Sequence, residues 1–131
     1  MALVTSDMLP LGTAAPPFDL PVANPEADGR EGARRALDDF ADADALLVVF
    51  TCNHCPYAQA IEDRLIRLAE DAAFRGVAVV AINPNDPDRY PDDSFGAMAE
   101  RARTKGFPFP YLMDETQDVA RDYNAACTPD L

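Results

Sequence analysis

Two short apolar runs, residues 46–51 and 77–82, bracket a helical pattern, and few folds accommodate that order. Neither Leu46-Leu47-Val48-Val49-Phe50-Thr51 nor Val77-Ala78-Val79-Val80-Ala81-Ile82 carries a charge. Continuous rather than alternating apolarity predicts strands covered on both faces of a sheet. Between them Ile61, Leu65, Leu68, Ala69 and Ala72 recur at helical spacing over 56–73, with Asp63 and Arg67 one turn apart on the wet side and Gly76 ending the pattern. Strand, helix and strand in this order predict a right-handed parallel crossover and hence an α/β domain.

The remaining chain is read around that unit. Residues 1–45 are rich in Pro, Ala and Asp, with Phe18-Asp19-Leu20 the one alternating piece and Gly29 and Gly32 as turn punctuation, which predicts an irregular lead-in holding at most a small hairpin. After the second strand come a Pro/Asp loop over 83–91, a helix from about 93 to 105 capped by Asp or Ser and stopped by Gly106, a short strand Tyr111-Leu112-Met113, and a helix over about 115–124. At 131 residues and 48% hydrophobic content the chain suits one domain, with 1–45 as lead-in and 46–131 as core.

The formal net charge of -12 argues against nucleic-acid or anionic-membrane surfaces as partners, because Arg34-Arg35 and the scattered Arg101, Arg103 and Lys105 make no basic patch. Apolar stretches are shorter than a membrane span, and the first ten residues contain Asp7 and lack a basic segment leading into an apolar one. A cytoplasmic location is the expectation. Three cysteines are too few for a secreted disulfide scaffold, and their odd number leaves at least one free thiol.

At the junction of first strand and helix stands Cys52-Asn53-His54-Cys55. Two cysteines separated by two residues can close a disulfide ring, and a helix N-terminus favours a thiolate. The expectation is that Cys52 lies in the exposed turn and attacks, while Cys55, inside the first helical turn, resolves the mixed disulfide. His54 would favour the thiolate when protonated and move a proton when neutral; the alternative is an ordinary loop histidine. Pro56 fits the first helical turn on structural grounds alone. The competing reading is a zinc-binding module, with His54 and Cys127 as added ligands, but structural zinc usually takes a second paired knuckle and none is present, so redox chemistry without a metal or other cofactor is favoured.

Phe50-Thr51-Cys52-Asn53-His54-Cys55-Pro56-Tyr57, with Phe109-Pro110-Tyr111-Leu112 and Cys127-Thr128-Pro129-Asp130, resembles the peroxiredoxin-like, AhpC/TSA-type branch of the thioredoxin superfamily, from about Pro16 to the last residue. The resemblance implies a thioredoxin-like fold, a mixed central sheet flanked by helices, and thiol-disulfide exchange with protein or small-molecule thiols and disulfides. It implies that Cys52 is the nucleophile, that Cys55 resolves, that Pro129 is a cis-proline facing the disulfide, and that the backbone of Thr128 pairs with substrate chains. Cys127 then stands near the pair, either as a third exchangeable thiol or as a small buried hydrophobe.

Three departures qualify the resemblance. Thioredoxin has a tryptophan just before its motif and a buried aspartate six residues upstream of the first cysteine; Thr51 and Leu46 stand there, so the carboxylate of a proton relay is unassigned. A true peroxiredoxin has a threonine three residues before its peroxidatic cysteine and a later arginine; with Cys55 in that position the threonine has become Cys52, and no arginine follows Pro129, which makes thiol-dependent peroxidase the second reading. Finally, the resemblance expects a strand, an antiparallel strand and a closing helix after Pro129, so the expectation is a C-terminally incomplete domain whose first core strand has an unpaired edge, a route to self-association.

Overall fold

The crossover forms where the apolar pattern places it. The computed structural model describes residues 7–131. A hairpin of β1 (Asp19–Pro21) and β2 (Arg34–Ala36) leads to β3 (Ala45–Phe50), α1 (Pro56–Ala73), β4 (Val77–Asn83), α2 (Phe95–Lys105), β5 (Tyr111–Met113) and the short α3 (Asp118–Asp122). The strands β3, β4 and β5 pair in parallel in that order, with Val48 opposite Val80 and Ile82 opposite Leu112. Antiparallel character enters at both edges: Val22, just after β1, bridges to Leu112, and Phe50 bridges to Asp130.

Central β4 sends alternate side chains to two apolar layers, as a pleated strand must. Val79 and Ala81 pack with Leu65 and Ala69 of α1 and Met98 and Ala102 of α2. Val80 and Ile82 pack on the other face with Phe18, Phe40 and Val119. The helices α1 and α2 thus share one face, while the hairpin and α3 cover the other.

Several sequence expectations are corrected by these neighbours. The strand β3 lies at the sheet edge, so Leu46, Leu47 and Val48 are half-buried and only Val49 and Phe50 are buried. Among the described residues its far side is bridged at Phe50, whose N–H donates to the Asp130 carbonyl (2.7 Å) while the N–H of Asp130 donates back (2.9 Å). On α1 the buried stripe runs through Ala58, Glu62, Leu65 and Ala69 rather than Leu68, which is exposed. Glu62 tolerates burial because Arg101 of α2 grips it with two hydrogen bonds of 2.8 and 2.7 Å, and Lys105 reaches Asp63 at 2.9 Å. Arg101 and Lys105 therefore clamp the two helices together, while Arg103 pairs with Glu100 on α2 itself.

Helix α2 starts at Phe95, two residues later than expected, because the Ser94 hydroxyl caps the Ala97 N–H at 3.2 Å and frees Asp93 for another role. Helix α3 is shorter than the predicted 115–124. The Asp114 carboxylate takes the Ala120 N–H (2.8 Å), and Gln117 adopts φ +67°, so the preceding residues form a turn. Gly76 has φ +76°, and a Cβ there would collide with the Asp44 carboxylate, which makes it a required glycine between α1 and β4.

The lead-in is better ordered than its composition predicts, since its hairpin loop wraps a buried guanidinium. Arg35 is 1% exposed, donates to both Asp28 oxygens at 3.0 Å, and donates to the carbonyls of Pro25, Arg30, Gly32 and Arg34. Burial pushes the Asp28 pKa up, but the hydrogen bonds from Arg35 and the Arg30 N–H outweigh it and hold the carboxyl below its ordinary value. Replacing Arg35 by Met takes the guanidinium from Asp28, which keeps only the Arg30 N–H and side chain beside it, leaves these carbonyls without their donor, and should lower the unfolding free energy at pH 7 by about 3–5 kcal/mol. The same change at exposed Arg34 should cost less than about 1 kcal/mol. A depressed Asp28 pKa stabilises the fold above the ordinary carboxylate value of 3.8 and ceases to do so as pH falls through the folded value, so urea unfolding should show the Arg35 deficit shrinking below about pH 4.

Candidate redox site

The last residues of β3 are driven into the core, and the chain emerges as the tetrad before α1 begins at Pro56. Cys52 is 1% exposed, Cys55 is half-buried at the helix N-cap, and the two are joined as a disulfide with a Cα–Cα distance of 5.8 Å. The expected placement of the sulfurs is therefore reversed: Cys52 is covered and Cys55 faces outward. The physical reason is that Phe50 is bridged to Asp130, which folds the 127–130 segment over Cys52, whereas Cys55 sits where the eighteen-residue α1 presents its free N–H groups.

The Thr128–Pro129 peptide is cis and lies against the disulfide. The Thr128 hydroxyl is 3.2 Å from Cys52 Sγ and 3.0 Å from Cys55 Sγ, within hydrogen-bonding reach of either sulfur. Cys127 is a free, half-buried thiol whose Sγ lies 3.8 Å from the Pro129 carbonyl, so it is neither a core hydrophobe nor joined to the pair.

His54 turns away from the core over the face of Tyr90, with ring centroids 4.5 Å apart and planes 12° from parallel. Its Nδ1 donates to the Asp93 carboxylate in a very short contact, and its Nε2 lies 3.9 Å from Cys55 Sγ. Asp93 is fully buried. Its Oδ1 accepts from the Asn53 N–H (2.5 Å) and from Asn83 Nδ2 (2.9 Å), and its Oδ2 also accepts from Asn85 Nδ2 (3.1 Å). Burial raises the Asp93 pKa, but these bonds and that from His54 overcome it and hold the carboxyl below its ordinary value. Beneath them Tyr111 donates to Asn53 Oδ1 (2.9 Å) and accepts from Asn83 (3.2 Å), and burial pushes its phenol pKa far upward, so it remains a neutral bridge.

Of the residues expected from the sequence, the fold gathers Cys52, His54, Cys55, Thr128 and Pro129, with Cys127 beside them. It adds Asp93, Asn53, Asn83, Asn85 and Tyr111. Asp93 had the local chemistry of a helix cap, and nothing in its own neighbourhood signals a contact with a residue thirty-nine positions earlier. Asn53 is inside the motif and was the one accessible clue. One donor atom each from Cys52, His54 and Cys55 falls within 4.8 Å, the nucleus of the zinc reading, but the two sulfurs are bonded to one another and Cys127 is outside the group. Two grooves are lined by neighbours of the disulfide, one of about 370 Å³ beside His54, Gln59 and Arg101, the other of about 310 Å³ beside Asn85, Arg121, Cys127 and Thr128. Among the described residues no helix is long and apolar enough to cross a membrane.

The AhpC/TSA family model matches residues 11–131. An uncharacterized conserved protein from Geobacillus kaustophilus superposes with a TM-score of 0.90 at 46% identity over 99% of this chain and 66% of its own. A hypothetical protein from Sinorhizobium meliloti 1021 superposes with a TM-score of 0.86 at 42% identity over 95% of this chain and 64% of its own. The chain thus spans a little less than two thirds of the length of each. A secreted disulfide oxidoreductase of Mycobacterium tuberculosis, homologous to DsbE of E. coli, shares the fold at a TM-score of 0.64 and 21% identity, over 86% of this chain and 71% of its own. The architecture is accordingly thioredoxin-like. A search of curated proteins returns no match.

The polar floor of the site yields a stability prediction. Tyr111→Phe strands the buried Asn53 carbonyl oxygen and one Asn83 proton, and should cost about 1–3 kcal/mol in chemical denaturation. The same change at Tyr57, which is 59% exposed, should be close to neutral.

Proposed function

The chain belongs to the AhpC/TSA family, and from that premise we propose that it is a thiol-disulfide oxidoreductase whose Cys52–Cys55 pair alternates between dithiol and disulfide. The observation that carries this reading is the joined pair itself. The two sulfurs sit at the strand-to-helix junction, one reachable from outside, with the Thr128 hydroxyl within 3.2 Å of both. A hydroxyl there can donate to whichever sulfur carries negative charge as the bond opens, stabilising a thiolate in a partly dry setting.

The exchange takes two steps. One thiolate of the reduced pair attacks a substrate disulfide, forming a mixed disulfide and expelling one substrate thiolate. The second sulfur then attacks the first, closes Cys52–Cys55 and releases the other substrate thiol. The substrate gains the two electrons and two protons that the pair loses. No metal or organic cofactor enters this balance. The partners are protein or small-molecule thiols and disulfides, received along the grooves beside the pair, with the backbone of Thr128 and Pro129 as the surface against which a substrate chain is laid. A reducing, cytoplasmic setting belongs to the same proposal. So does self-association along β3, which over Ala45 to Val49 has a strand partner on one side only among the described residues.

Peroxidase chemistry is the second reading, and the observation in its favour is again Thr128, whose hydroxyl lies 3.0 Å from Cys55 Sγ and supplies a donor where the peroxiredoxin threonine has become Cys52. One hydroxyl is a sparse stabiliser for a departing hydroxide, so disulfide exchange ranks first.

Insulin-disulfide reduction with dithiothreitol as electron source tests the proposal. The wild-type chain and Cys127→Ser should accelerate precipitation of the insulin B chain. Cys52→Ser and Cys55→Ser should fall to the rate of dithiothreitol alone, and the variant keeping the attacking cysteine, incubated with oxidised insulin after the dithiothreitol is removed, should accumulate a mixed disulfide visible by mass spectrometry. Turnover undiminished in either Cys52→Ser or Cys55→Ser would overturn the assignment.

A further inference from the structure

Resting on that reading and deepening it, we propose that Cys55 is the attacking sulfur and that His54 and Asp93 form with it a thiol–imidazole–carboxylate relay, with Asp93 as its positioning residue. The resemblance assigned attack to Cys52 and left the relay carboxylate without a candidate; the geometry assigns both roles differently.

Three independent observations converge on Cys55. It is the accessible sulfur of the pair, whereas Cys52 is 1% exposed beneath the 127–130 segment. It occupies the N-cap of α1, where unbonded N–H groups and the helix dipole favour an anion. It is the sulfur within 3.9 Å of His54 Nε2, while no contact joins that ring to Cys52.

The second half of the relay concerns which nitrogen of His54 carries its proton. A carboxylate can only accept, so the contact from Nδ1 to Asp93 places the proton of a neutral ring on Nδ1 and turns the Nε2 lone pair toward Cys55. Asp93 itself is fixed by three neutral amide donors, the Asn53 N–H and the side chains of Asn83 and Asn85. Of its four hydrogen-bond partners only His54 exchanges protons. Nucleophile, base and orienting carboxylate are thus arranged in the order that activates thiols and hydroxyls on unrelated folds.

In the reduced protein Nε2 takes the Cys55 proton, giving a thiolate and an imidazolium held by Asp93. The thiolate attacks the substrate disulfide, the new S–S bond forms to Cys55, and the expelled substrate thiolate takes the proton from Nε2. Cys52 then attacks Cys55 Sγ, closing the internal disulfide, and its own proton ends on the second substrate thiolate. Because Thr128 touches both sulfurs, it can follow the charge from Cys55 to Cys52 as the exchange proceeds, and from Cys52 back to Cys55 when it runs in reverse.

The test reads the thiols directly. In the reduced Cys52→Ser chain, pH-dependent alkylation of Cys55 by iodoacetamide is mapped by mass spectrometry, with Cys127 as internal control. Asp93→Asn and His54→Gln should each raise the pH midpoint of Cys55 by about one unit or more and leave that of Cys127 unmoved. The Cys55→Ser chain should place the midpoint of Cys52 above that of Cys55. The other titratable groups on this side, Asp92 and Tyr90 before α2 and Glu100, Arg101 and Lys105 on it, are common to all variants. Should Asp93→Asn fail to fold by circular dichroism, His54→Gln decides, since it leaves the three amide donors of Asp93 in place. A folded His54→Gln chain with an unmoved Cys55 midpoint, or a Cys52 midpoint below that of Cys55, would overturn the relay. Alkylation needs no disulfide substrate, so loss of insulin reduction with these shifts intact would sink the proposed activity and leave the relay standing. Undiminished insulin reduction with unmoved midpoints would do the opposite.

Discussion

A single buried carboxylate holds the site in register. Removing an anion from water costs several kcal/mol unless donors replace the lost hydration, and Asp93 is fully buried with four of them. Those donors come from the tetrad, the end of β4, the loop after it and the imidazole of His54, while the carboxylate itself sits on the turn before α2. Two stretches of chain, residues 53–54 and residues 83–93, must therefore adopt compatible positions before the charge is satisfied. Tyr111 extends the constraint into β5 through Asn53 and Asn83.

The parallel topology explains why this happens at one end of the molecule. In a right-handed crossover both strands deliver their C-terminal ends to the same side of the sheet, and residues just beyond those ends share a crevice. The tetrad follows β3, Asn83 ends β4, and the turn carrying Asp93 begins the return toward α2. The 127–130 segment closes the other side, bridging Phe50 and laying Thr128 on the sulfurs. The cysteine pair held here has one covered and one reachable sulfur.

The sequence spoke most clearly where the governing contacts are local or repetitive. Two uninterrupted apolar runs and a 3.6-residue periodicity were enough for the crossover, and the bounds read for the first helix coincide with Pro56–Ala73. The cysteine pair was equally visible, because its spacing is its function. Legibility failed where a residue's environment is made by a distant one. Glu62 reads as a surface carboxylate until Arg101 arrives from α2, and Leu68 reads as core although the buried stripe passes through Ala58, Glu62, Leu65 and Ala69. Asp93 reads as a cap because its neighbours are Asp92 and Ser94; its true partners lie on β4, the loop beyond it and the tetrad. The exposure of the two cysteines was inverted for the same reason, since the cover over Cys52 comes from residues more than seventy positions later.

The account stands on Cys52 and Cys55 being a reversible two-electron couple. Equilibrating the protein across a series of reduced and oxidised glutathione ratios, quenching with acid and counting alkylated cysteines residue by residue measures that property directly. Cys52 and Cys55 should pass from thiol to disulfide together, in one transition whose slope corresponds to two electrons, while Cys127 stays outside it. Separate transitions for the two cysteines, or a disulfide joining either of them to Cys127, would contradict it.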